Sequence, residues 1–124
     1  MNRLFFKGEE EPVLAVLDEN NNVIPTDDLL RWALFFEQFE RRIVAKTRVS
    51  GLEVSTVFLG FNYGVSHPLW FETMVFADLD RAIPPEVEAL LSKWREHQLE
   101  RYSDWAQAQE GHARMVQIIQ EGLI

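Results

Sequence analysis

The sequence predicts an α+β domain, an antiparallel meander of about three to five strands packed against about three helices. Three observations carry this reading. Residues 43–77 hold three runs rich in β-branched and aromatic residues, joined by short connections, and consecutive strands joined in that way pair antiparallel. Apolar residues recur at helical spacing in three places. These are Leu29, Trp32, Ala33 and Phe36; Val87, Leu90, Leu91 and Trp94; and Trp105, Ala108, His112, Met115, Val116 and Ile119. Finally, 124 residues with 47% hydrophobic content, nine Phe and four Trp can bury one core without disulfides or a structural metal. We therefore read 1–124 as a single domain.

Residues 1–11 read as a loose or edge-paired terminus. The apolar run 12–17, the Asp- and Asn-rich 18–22 and the segment 23–25 predict a hairpin, because Asn and Asp tolerate left-handed backbone. Thr26 is expected to cap a helix, with Asp27 and Asp28 at the favourable end of its dipole. Strands follow at 43–49, 54–61 and 69–77, with a turn at 50–53 and a loop over 62–68. By alternation, Phe71, Thr73 and Val75 share one face, and Trp70, Glu72, Met74 and Phe76 share the other. Both faces carry large apolar groups. One is expected to pack on helices, and the other to be covered by the N-terminal hairpin or to form an interface. Pro85 opens a helix over 85–97, 98–102 is a link or edge strand, and Ser103 caps the last helix.

Charge and composition narrow the function classes. Asp and Glu outnumber Lys and Arg by 20 to 12, for a net charge of −8. Such a surface repels a phosphate backbone, so direct nucleic-acid binding is not expected. It is suited instead to a basic protein surface, although most acidic small proteins are simply soluble. The absence of cysteine removes disulfides, thiolate nucleophiles and Cys-based zinc sites. No apolar run approaches the ~20 residues of a membrane span, and a cytoplasmic location is expected.

The motifs of chemistry are missing. There is no GxSxG, GxGxxG or GxxxxGK[ST] pattern, and His67, His97 and His112 fall in no metal-ligand spacing. No catalytic residue, metal or cofactor is assigned. Two features remain. The loop residues Asn62, Tyr63 and His67, with Trp70 beside them, form the candidate recognition site, with a plain strand connection as the ordinary alternative. Glu72 is a carboxylate within an otherwise apolar strand, and a buried carboxylate needs a partner or must stay protonated. His112, on the apolar stripe of the last helix, is the candidate partner. The ordinary alternative is a core histidine whose ring nitrogens are hydrogen-bonded elsewhere.

The strings VSTVFLG at 54–60, PLWFETMVF at 68–76 and ERYS at 100–103, with Gly111-His112, resemble a group of small, largely uncharacterised proteins encoded by bacteriophages, prophages and some bacteria. The resemblance covers roughly half the chain, over 43–77 and 99–116. The segment 79–97 is longer than the usual link of that group and reads as a variable helical insertion. What the resemblance implies is an origin near phage genomes, with no activity to carry over to particular residues. The leading expectation is a phage or prophage accessory protein that binds a host or phage protein, inhibiting a host defence or nucleic-acid enzyme. The rivals are a small-ligand or metal-assisted enzyme using Glu72, His112 and the 62–67 loop, and a structural or virion-associated subunit that forms a homodimer through a sheet face.

Overall fold

The computed structural model describes residues 6–7, 11–64, 66–77, 85, 89 and 100–122. Among these, the predicted α+β architecture is present: a four-stranded antiparallel sheet, two short two-stranded ladders and three helices. The first ladder joins β1 (Phe6–Lys7) to β2 (Glu11–Pro12), and the second joins β3 (Ala15–Leu17) to β4 (Val23–Pro25). Helix α1 (Leu29–Phe36) and the single turn α2 (Phe39–Arg42) lead into β5 (Ile43–Val49), β6 (Leu52–Phe58) and β7 (Phe71–Ala77). After β8 (Glu100–Tyr102) comes α3 (Trp105–Gln120). The main sheet has the order β5-β6-β7-β8. The helix expected over 85–97, with Trp94, lies outside the described residues except for Pro85 and Ala89, both helical.

Local chemistry sets the joints. Val49 pairs with Leu52, which leaves a two-residue turn at Ser50-Gly51 with φ of 51° and 78°. Positive φ at both positions defines the type I′ turn, whose twist matches the strands it joins. In the β3–β4 hairpin the Asp18 carboxylate accepts from the Asn20 and Asn22 amides at 2.8 and 2.9 Å. These bonds permit the left-handed Asn21, whose φ is 63°. The caps differ from expectation by one or two residues. Asp28 rather than Thr26 accepts from the Arg31 amide, and Asp104 rather than Ser103 accepts from the Gln107 amide. In both cases the residue immediately before the first helical turn holds the geometry for this bond.

Helix α3 lies across all four strands of the sheet. Register puts Leu52, Val54, Thr56 and Phe58 of β6 on the covered face, with Phe71, Thr73 and Val75 of β7. The core beneath α3 falls into two apolar clusters. One gathers Phe58, Phe71, Trp70, Tyr102 and Ala108 with Phe35 of α1 and Ala15, Val16 and Leu17 of β3. The other gathers Leu52, Val54, Met115 and Ile119. The hairpin therefore prolongs the covered face at the Phe58 end and does not lie on the opposite face. That opposite face carries Ser55, Val57, Glu72, Met74 and Phe76, of which Met74 and Phe76 are exposed.

Helix α1 turns differently from the sequence reading. Phe35 is its buried residue, while Leu29, which the spacing placed inward, is exposed together with Leu30 and Leu34. Apolar residues occupy seven of the eight positions of this helix, so spacing alone cannot fix its rotation; contact with β3 does.

Candidate functional site

The loop from β6 to β7 is built around Asn62. Its side-chain carbonyl accepts from the Gly64 and Leu69 amides at 2.8 and 3.2 Å, and its amide donates to the Pro12 carbonyl at 2.8 Å. Asn62 is thus buried and holds the loop closed. Trp70, the next candidate, is core; its carbonyl accepts from Leu59 and its amide donates to Tyr102. Tyr63 and His67 are the two of the four that reach the surface. The loop starts at Gly60, whose φ is 78°. Its carbonyl accepts from both the Ala15 amide at 3.1 Å and the Trp32 indole at 3.0 Å.

Tyr63 belongs to a longer feature that spacing does not reveal. Its ring meets Phe61 at 6.4 Å, Phe61 meets Trp32 at 5.0 Å, and Trp32 stacks on Phe36 at 4.8 Å. An arginine closes each end. Arg42 lies 3.6 Å over Phe36 and 5.5 Å over Phe39, and Arg101 lies 4.7 Å over Tyr63. Arg42 is held in place by bonds from Nε to the Phe58 carbonyl and from Nη1 to the Phe36 carbonyl. The result is one continuous ridge of rings and guanidinium groups, drawn from α1, α2, the β6–β7 loop and β8. Much of it faces water: Phe39 is 67% exposed and Tyr63 47%. Leu30, 69% exposed, and Leu34 add apolar surface on the outer side of α1.

The expected pairing of Glu72 with His112 does not form. The two lie on opposite faces of the sheet, because Glu72 alternates with Thr73, which faces α3. Glu72 instead accepts from Arg101 Nε across the β7–β8 ladder at 2.9 Å. His112 is a core histidine, held by Thr47 at Nε2 and Thr56 at Nδ1, both at 2.8 Å. Of the residues named for an enzyme, His112 is therefore apart from Glu72, whereas Arg101 joins Glu72 to Tyr63 of the loop. Among the described residues no group of three or more His, Asp or Glu side chains is placed to hold a metal ion.

His112 is one link in a hydrogen-bonded belt that separates the two apolar clusters. Thr56 meets Thr73 at 2.6 Å, Thr73 meets the Tyr102 hydroxyl at 3.0 Å, and Tyr102 meets Glu100 at 2.8 Å. Arg114 faces Glu100 at 3.4 Å. Proton counting orients the belt. The carboxylate only accepts, so the single phenol proton goes to Glu100 and the Thr73 hydroxyl donates to Tyr102. Thr56 then donates to Thr73 and accepts from His112, whose proton is on Nδ1. Thr47 donates to the bare Nε2. Burial pushes the Tyr102 phenol up to about 12, which keeps its proton in place. Among the described residues no buried side-chain polar atom lacks a partner.

Two results are expected from this belt. Thr56→Val keeps shape but strands the His112 donor, and should cost about 2 kcal/mol in urea unfolding. The double variant with Thr73→Val should cost less than the sum of the singles, because both partners are then apolar. The second result concerns pH. Burial holds the His112 imidazole below its ordinary value of 6.5. The unfolded chain thus binds the proton first, and this contribution to stability is complete above 6.5 and is lost as pH falls below it. Unfolding free energies measured from pH 7.5 to 5 should fall more steeply in the natural chain than in His112→Asn.

No family model, curated protein or solved structure matches the chain.

Proposed function

We propose that this chain acts by binding another protein, as a phage or prophage accessory factor, and that the ridge from Phe39 to Tyr63 is its contact surface. The carrying observation is the exposure of Phe61 and Tyr63 in a row of edge-to-face rings that fix one another, continued through Arg42 to the exposed Phe39. Rigid aromatic and arginine side chains lose little freedom on association and dominate the energy of protein interfaces. The net charge of −8 steers the chain towards a basic partner. A nucleic-acid enzyme, of host defence or otherwise, presents such a basic surface where it binds phosphate.

The test is capture from a host lysate, identification of a stoichiometric partner and reconstitution from purified components. Phe39→Ala and Tyr63→Ala, each exposed and so expected to fold, should weaken the complex by about 2 kcal/mol apiece, close to thirtyfold. A complex indifferent to both changes, or a chain that captures nothing it can be reconstituted with, would overturn the reading. A dimer that persists on dilution and buries the ridge would assign the chain to the structural class instead.

A further inference from the structure

A cleft of about 330 Å³ opens between α1, α2 and β3. We propose that it binds a small organic acid, a carboxylate carried on a short apolar body. This inference goes beyond the protein-binding reading and does not rest on it.

The cleft joins a small apolar floor to a larger polar, cationic mouth. Val16, Leu17 and Phe35 are buried core residues that line it, with Leu34 beside them. Arg31 comes from α1, Gln38 from the link between α1 and α2, and Arg41 from α2. Two guanidinium groups and a carboxamide offer several N–H donors, and guanidinium forks match carboxylate geometry. No Asp or Glu is among the described lining residues, in a chain where acids outnumber bases by 20 to 12.

Arg41 is already positioned. It donates to the Asp18 carbonyl at 2.7 Å and lies 5.5 Å over the Phe35 ring. One such bond leaves most of the five guanidinium N–H donors for a ligand. The nearby Asp18 carboxylate is engaged by the Asn22 amide and side chain, which hold it below its ordinary range, and the Arg41 charge adds to that effect. Asp18 therefore offsets part of the Arg41 charge, and Arg31 becomes the decisive cation. A volume of this size holds roughly ten non-hydrogen atoms, at the ~30 Å³ that each water takes in the liquid. That suits one ring or a short chain with its carboxylate. Asp28, whose carboxylate accepts from the Arg31 amide at 3.0 Å, offsets part of the Arg31 charge as well, while repulsion from acids farther off is screened beyond ~8 Å at physiological salt.

The test is an amide-detected NMR titration of the full chain with hydrocinnamate, and with hydrocinnamyl alcohol as its uncharged counterpart. The acid should give saturable shifts centred on Leu17, Phe35 and Gln38, and the alcohol should bind at least about tenfold more weakly. Arg31→Gln, at an exposed position, should weaken the acid about tenfold and leave the alcohol unchanged, while Arg31→Lys should recover part of the loss. Equal affinity for acid and alcohol, shifts centred elsewhere, no saturable shift, or indifference to Arg31→Gln would each overturn the proposal.

Discussion

Gly111→Ala should destabilise the fold by about 3 kcal/mol or more, at the upper end for overpacking, although alanine is the better helix former by about 1 kcal/mol. Gly111 lies on the buried side of α3, and a β-carbon there would overlap the ring and hydroxyl of Tyr102. Neither side can give way cheaply. The ring belongs to the first apolar cluster, and its hydroxyl is tied to Thr73 and Glu100. Helix α3 would have to lift from the sheet, which would also stretch the His112 bonds. Chemical denaturation monitored by circular dichroism measures the loss. Adding Tyr102→Ala to Gly111→Ala should cost less than the two losses summed, since the clash is then gone. A variant as stable as the natural chain would mean that α3 does not sit this close to β8.

Phe58→Ala should cost about 3–5 kcal/mol, a large share of the ~5–15 kcal/mol that stabilises a domain. Phe58 is fully buried and its ring meets Phe35 at 5.9 Å and Phe71 at 5.2 Å. It joins Phe35 of α1 to Phe71 of the central sheet within the first apolar cluster. Its removal opens a void that three separate elements would have to close together. The same denaturation experiment reports it, and a loss under 1 kcal/mol would show that the first cluster is not one packed unit.

Much of this architecture could be read from residue order, and the reasons differ by element. The expected strand 43–49 coincides with β5, because β-branched residues end there at Ser50-Gly51, a pair suited to a tight turn. The stripe Ala108, His112, Met115, Ile119 is the buried side of α3. The stripe does not reveal the close packing at Gly111, which has no side chain to contribute to a hydrophobic pattern, although its place between Ala108 and Met115 lies on that stripe. The separation of Glu72 from His112 was legible in principle. Once Phe71 and Thr73 are assigned to the helix-covered face, alternation sends Glu72 to the other. The ridge was not legible, since Phe39, Trp32, Phe61 and Tyr63 come from different elements and meet only through tertiary packing. The roles of Asn62 and Trp70 were hidden for the same reason: composition marks a loop, but not which of its side chains fold inward to hold it.

One peptide, at Gly60, fastens both Ala15 and the Trp32 indole. The ladder β3–β4 and helix α1 therefore share an anchorage and should open together rather than in turn. In native-state hydrogen exchange, their amides should form one isotherm of low opening free energy, with those of β6 and β7 exchanging only on global unfolding. The first cooperative step of disassembly would then release the Phe39–Tyr63 row from its α1 half while the paired sheet stays intact.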